Sequence, residues 1–103
     1  MDHELDDESR LAGLASVQFA MGRKRESDAA LAQLTKRSAE GWASGIASVH
    51  AIRNEPDAAF EWLDRAYAQK DEDLYLIKGN PLFRNVARDP RYKAFLHKMN
   101  LPD

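Results

Sequence analysis

The sequence predicts an all-α protein with two antiparallel helical hairpins followed by short C-terminal helices. In four successive segments, apolar residues recur at the three- and four-residue spacing of an amphipathic helix. β-Branched residues are scarce, and no segment alternates apolar and polar residues as a half-buried strand does. The pattern of the first two helices also returns in the next two. At 103 residues, the chain suffices for one small domain but not for two.

The first hairpin is predicted to begin at Ser9. Residues 1–8 are acidic and carry little to bury, so we expect them to form a flexible lead-in. The first helix should end at Gly22, a residue that suits a C-terminal cap. Its apolar stripe, widened by Val17, comprises Leu11, Leu14, Ala15, Gln18 and Met21.

The second helix follows the basic turn at residues 23–25. Ser27 or Asp28 is predicted to cap it by accepting free backbone N–H groups. One face of this helix is lined by Ala30, Leu31 and Leu34.

The second hairpin repeats the arrangement. The third helix has a stripe of Trp42, Ala43, Ile46, Ala47, Val49 and His50. Pro56 suits the first turn of the fourth helix, which should run to about Lys70. The face of the fourth helix that should pack on the third helix and on the segment after Asp73 comprises Ala59, Trp62, Leu63, Ala66 and Tyr67.

Two short helices are predicted near the C-terminus. Asn80-Pro81 and Asp89-Pro90 each read as an N-cap followed by proline at the first helical position. They would begin the helical segments "PLFRNV" and "PRYKAFLHKM".

The two hairpins are related by nearly constant offsets. The first and third helices align at an offset of 32 residues, pairing Leu14 with Ile46 and Gly22 with Asn54. The second and fourth align at 29, pairing Leu34 with Leu63. Because a fixed period marks repeat architectures, we expect two stacked hairpins with a longer first turn.

This pattern resembles the tetratricopeptide repeat. The positions that define this repeat are occupied in the second unit by Ala43, Ile46-Ala47, His50, Asn54, Ala59, Leu63 and Ala66. In the first unit they are occupied by Leu11, Leu14-Ala15, Gln18, Gly22, Ala30, Leu34 and Arg37. The departures are His50 and Gln18 for tyrosine, Asn54 for glycine and Arg37 for alanine. Over roughly residues 10–102, with "NPLF", "DPRY" and "NLP", the chain is similar to the C-terminal end of such arrays in multidomain bacterial regulators. The resemblance implies one α-solenoid domain over residues 9–103, with a C-terminal cap from about residue 73.

The same resemblance implies a partner-binding concave face. The positions that line this face in the family correspond in this sequence to Ser16, Phe19, Ser44, Ser48, Ile52, Tyr75 and Lys78. Phe19 and Ile52 lie off the core stripes, so we expect exposed apolar contacts there; packing of Phe19 under the N-terminal tail or in a dimer is the alternative. Glycine at position 45 lowers the helix propensity of the third helix. Close packing against Gly45 would explain its presence, and a groove floor that admits a peptide is the second explanation.

No motif of a catalytic, metal or cofactor site is present. The sequence lacks a phosphate-binding glycine loop, a nucleophile elbow, an H-E-x-x-H pair and a calcium loop. We expect His50 to be a core histidine; an enzyme would require it to meet Glu40 or Asp64 in a cleft. The formal net charge of −2 and the lack of an apolar run long enough to span a bilayer lead us to expect a cytoplasmic protein with neither a nucleic-acid nor a membrane partner. The sequence therefore predicts a non-enzymatic, cofactor-free module that binds a peptide, a partner domain or a second copy of the chain. The alternative is a capping and self-association unit of a larger repeat array or regulator.

Overall fold

A computed structural model describes residues 3–70 and 81–99 of the chain, and all regular structure within those ranges is helical. The prediction of an all-α protein is confirmed. The elements are α1 (His3–Ala20), α2 (Lys24–Ser38), α3 (Ala43–Ile52), α4 (Pro56–Gln69), a 3₁₀ helix (Pro81–Val86) and α5 (Pro90–Lys98).

The central element is α3. It packs on α4, α2 and α1 and on the 3₁₀ helix, while α1 packs chiefly on α2. Eight of its ten residues are buried, which fits its composition of small and apolar side chains. Small residues let neighbouring helices approach closely on several sides, so α3 holds the two hairpins together.

The core formed by the described residues has two clusters, which meet at Trp62. One cluster joins α3 and α4 to the C-terminal elements through Leu63, Phe83 and Phe95. The other joins α1, α2 and α3 through Leu11, Leu34, Ile46 and their neighbours. Trp62 is partly buried and packs against both clusters. Each large apolar side chain buried in these clusters stabilises the fold by about 1.5–3 kcal/mol.

The predicted 32-residue offset reappears in the helix caps. Gly22 and Asn54 both have left-handed backbone, with φ of 80° and 60°. After α1, Gly22 donates to the Phe19 carbonyl at 3.0 Å and the next amide donates to the Gln18 carbonyl at 2.8 Å. After α3, the amides of residues 54 and 55 donate to the carbonyls of residues 51 and 50 at 3.1 and 2.9 Å. Both helices thus end in the same hydrogen-bonded turn.

Two predicted helix starts are wrong. α1 begins at His3 rather than Ser9, so the expected flexible lead-in is helical from its third residue. α2 begins at Lys24, and neither Ser27 nor Asp28 caps it. The Ser27 hydroxyl instead donates to the Ala15 carbonyl at 2.7 Å, while Asp28 binds a buried arginine. Tertiary partners therefore use the two side chains that the local pattern assigned to capping.

The start of α5 is as predicted. The Asp89 side chain accepts a hydrogen bond from the Arg91 amide at 2.9 Å, and Pro90 occupies the first turn. Hydrogen bonds from the Arg91 guanidinium and from the Arg91 backbone N–H lower the pKa of Asp89 to about 2. Arg91 also reaches Asp57 on α4 at 2.9 Å and lies over the Phe60 ring. Asp89 thus caps α5 and Arg91 ties the helix to α4, whereas Asn80, the other predicted cap, lies outside the described residues.

Candidate interaction surfaces

An exposed apolar stripe runs along α1. Leu14, Val17 and Met21 have 39%, 54% and 56% of their surface exposed. Spacings of three and four residues place Leu14 and Val17 on one side of α1, and Met21, the first residue after α1, continues this side because its amide still donates to the Val17 carbonyl at 3.0 Å. The predicted core positions of Leu14, Val17 and Met21 are therefore wrong, because α1 turns Leu11 and Ala15 towards α2 and α3 instead. We call these three residues the α1 stripe.

A groove of about 290 Å³ lies beside the α1 stripe, between α1 and α2. Leu11, Leu14 and Ala30 form apolar parts of its wall, and Arg10, Glu26 and Gln33 supply polar ones. The Oε1 atom of Gln18, which also lines the groove, is buried and lacks a hydrogen-bond partner among the described residues. An unpaired buried acceptor costs about 1–3 kcal/mol, so a donor entering this groove would gain that interaction.

A buried arginine joins the two hairpins. Only 3% of the Arg53 side chain is exposed, and its Nη2 atom lies 2.6 Å from Asp28 Oδ1 and 3.2 Å from Glu55 Oε2. Its Nη1 atom donates to the Ser27 hydroxyl at 3.3 Å, and the guanidinium lies 5.2 Å from the centre of the Phe19 ring. The Arg53 hydrogen bond, reinforced by Lys24, lowers the pKa of Asp28. These contacts explain how a charged group is accommodated inside the fold.

Sequence reasoning missed this arginine. The sequence pattern made Asp28 a helix cap and gave Arg53 no role, because arginine is usually exposed and its type alone does not indicate burial. The partner of that pair lies 25 residues away, and no local pattern identifies it.

The predicted concave face is closed in its second unit. Ser44 and Ser48 are only 7% and 8% exposed, because α3 is surrounded by other elements. The Ser48 hydroxyl donates to the Gly45 carbonyl at 2.6 Å, within its own helix. The prediction that these two serines line an accessible binding face is therefore wrong for this structure.

The remaining predicted binding residues are scattered. Ser16 is half-buried and donates to the Ala12 carbonyl at 2.9 Å. Phe19 is half-buried, in contact with Arg53, rather than freely exposed. Ile52 is also half-buried, and its carbonyl accepts from Asn85 Nδ2 at 3.1 Å. Tyr75 and Lys78 lie outside the described residues.

Gly45 has the packing role that was the first expectation for it. A methyl carbon at this position would lie 2.4 Å from Cδ2 of the Trp42 ring, far inside van der Waals contact. Trp42 itself packs against the cluster of α1, α2 and α3. The cost of glycine in a helix interior is thus offset by seating the indole against the backbone.

His50 sits at the end of α3 and is half-buried. Its Nδ1 atom lies 2.8 Å from Oε1 of Glu55, whereas the enzymatic hypothesis required Glu40 or Asp64 as the partner. The described residues contain no group of three or more His, Asp or Glu side chains that could hold a metal ion.

A second pocket, of about 210 Å³, lies between α4 and α5. Phe60, Ala94 and Phe95 line its apolar part. Its two cations are already paired, Arg91 with Asp57 and Lys98 with Asp64 at 3.3 Å. The groups around this pocket hold α5 in place, as does Tyr67, whose hydroxyl donates to the Lys98 carbonyl at 3.3 Å.

Comparison with known proteins gives no family. No protein-family model, curated protein or solved structure matches the chain. In the part of the chain that the structure describes, no helix combines the length and the apolar character of a membrane crossing.

Proposed function

We propose that this chain is a non-catalytic protein-interaction module and that the α1 stripe is its contact surface. The observation that carries the proposal is the alignment of Leu14, Val17 and Met21 on one side of a helix, all exposed. Single exposed apolar residues are ordinary on protein surfaces. Three in register, beside a groove, form the kind of contiguous patch that marks an interaction site.

The proposal includes a tetratricopeptide-like arrangement of the two hairpins. The equal caps at Gly22 and Asn54 support a true structural repeat, as does the burial of α3 between the flanking helices. In this view the binding surface is the outer side of the first hairpin, rather than the concave side that the resemblance implied.

The alternative, a structural unit at the end of a longer array, is favoured by one asymmetry. The side of α4 that carries Leu63 is covered by Phe83, Phe95 and other residues of the C-terminal elements. The α1 stripe of the first hairpin has no such cover among the described residues. Both candidate functions therefore require a macromolecular neighbour at the α1 stripe.

The test is affinity capture from a cell lysate with the whole chain as bait. The stripe variant carries Leu14→Ser, Val17→Ser and Met21→Ser. The matched control carries serine at three alanines exposed on other elements, Ala32, Ala68 and Ala87. We expect the wild type and the control to retain the same proteins, the chain itself included, and the stripe variant to lose them. Equal retention by all three baits, with equal helicity by circular dichroism, would contradict the proposal.

A further inference from the structure

The internal repeat shows what kind of surface the α1 stripe is. At the 32-residue offset, Leu14 corresponds to Ile46 and Val17 corresponds to Val49. Both α3 residues are fully buried against the α1–α2 hairpin. The same helical side is thus covered by helices in the second unit and uncovered in the first. An α-helix is therefore the form of occupant that fits the stripe.

A folded second copy has one matching surface to offer. The residues of α1 and α2 that cover α3, such as Leu11 and Leu34, are buried in every copy and unavailable. Among the described residues, the exposed large apolar side chains are the three stripe residues and Tyr67, which packs edge-on against Phe95. Within residues 3–70 and 81–99, the exposed apolar surface that a second copy can bring to the stripe is therefore the stripe itself. A surface that meets its own copy forms a two-fold, isologous contact.

Charge decides the relative direction of the two helices. Near its start, α1 carries the acidic run at residues 6–8, and the exposed basic run at residues 23–25 spans the end of the turn after α1 and the first two residues of α2. Along the sequence, the centres of the two charged runs are equally far from the midpoint between Leu14 and Val17. Antiparallel helices bring the acidic end of each copy to the basic turn of the other, whereas parallel helices bring like charges together. Opposed charges of this kind set orientation and register more than affinity.

We infer that the chain forms an antiparallel, two-fold homodimer in which the α1 stripes of two copies pack on each other. This inference rests on the proposed function and names the partner as a second copy of the chain. At the centre, Leu14 of each copy faces Val17 of the other. Met21 meets the region of Arg10, whose aliphatic stem covers apolar surface well.

The first experiment measures the mass of the whole chain by analytical ultracentrifugation over a concentration series. We expect a shift from the 11.7 kDa monomer to a species of twice that mass. Val17→Glu, which puts a charge against the partner's Leu14, should leave only monomer. Because Val17 is exposed, circular dichroism should show the same helicity for the variant. A wild type that stays monomeric to about 100 µM, or a dimer that Val17→Glu leaves intact, would overturn the inference.

The second experiment tests direction by charge reversal. One variant carries Asp6→Lys and Asp7→Lys, and the other carries Arg23→Glu and Arg25→Glu. Both leave the Glu8–Ser38 and Lys24–Asp28 contacts in place. Each variant alone should dimerise about tenfold or more weakly than wild type, because both ends of its dimer bring like charges together. An equimolar mixture should recover dimer, since each heterodimer end then pairs opposite charges. No recovery on mixing would overturn the antiparallel arrangement.

The outcomes separate this inference from the proposed function. A monomeric chain that retains a different protein through the α1 stripe would overturn the homodimer and support the interaction module. A monomeric chain with no stripe-dependent capture would overturn both.

Discussion

Arg53 and Asp28 are joined across the two hairpins by a 2.6 Å ion pair, although 25 residues separate them in sequence. The arginine is buried and the aspartate is partly exposed, at the point where the turn after α3 meets the second turn of α2. Charge and geometry therefore fix how the second hairpin sits against the first, in addition to the apolar contacts of the core. Glu55 completes the pairing from the turn itself.

Removal of the Asp28 carboxylate should destabilise the protein more than removal of Lys24, the other cation that pairs with Asp28. Asp28→Ala leaves a buried guanidinium with one carboxylate fewer, which should lower the urea midpoint of unfolding. Lys24→Ala removes an exposed ion pair from the same carboxylate and should cost less than about 1 kcal/mol. Urea denaturation followed by circular dichroism measures both. Equal losses would show that the buried arginine does not depend on Asp28.

Gly45 provides a test of close packing against helix propensity. Alanine is the better helix former by about 1 kcal/mol, yet at position 45 its methyl group would overlap the Trp42 ring. We expect Gly45→Ala to destabilise the protein by about 1–3 kcal/mol and to shift the tryptophan fluorescence. Gly13→Ala is the control, because Gly13 lies inside α1 with open space around it, and it should stabilise by up to about 1 kcal/mol. Both are measured by thermal unfolding at one low protein concentration. A stabilising Gly45→Ala would show that the indole moves away freely.

Local signals in the sequence predicted the helices well. Periodicity identified α1 to α4, and proline identified the starts of α4 and α5, because spacing and fixed φ act within a few residues. The Gly22–Asn54 equivalence was also predictable, since both residue types tolerate left-handed backbone.

The burial of individual residues could not be predicted, because it depends on which side of each helix packs against another element. The α1 periodicity is the same whether Leu14 and Met21 are covered or exposed, so the pattern placed them in the core. Ser44 and Ser48 look like surface residues by type but belong to the most enclosed helix. Burial of this kind is decided by long-range packing, which a single sequence does not display.

The turn after α3 allows the repeat itself to be tested. Asn54 has a φ of 60°, a conformation that glycine adopts without cost and most other residues avoid. Asn54→Gly, which copies the residue at position 22, should leave the melting temperature nearly unchanged. Asn54→Ala should destabilise by about 1–2 kcal/mol, the usual cost of left-handed backbone for a residue with a Cβ atom. Equal melting temperatures for the two variants would contradict a left-handed cap at this position.

The pairing of Asp89 with Arg91 predicts a specific acid sensitivity. The folded pKa of Asp89 is about 2, below the usual value near 3.9 of an unfolded chain. A carboxyl whose pKa falls on folding stabilises the protein above its unfolded pKa and loses that contribution as the pH falls through its folded pKa. Between about pH 4 and pH 2, the cap and its arginine bonds should therefore weaken.

Asp89→Asn isolates this contribution, because asparagine also caps helices but does not titrate. The wild type should be the more stable of the two at pH 6, and the difference should shrink steadily as the pH falls from about 4 to 2. Other acidic groups are common to both chains, so the difference between their urea midpoints reports on position 89. A difference that is constant across this range would mean that the charge of Asp89 contributes no stability. Its convergence would show that the ionised carboxylate, and not only the shape of the cap, holds α5 on α4.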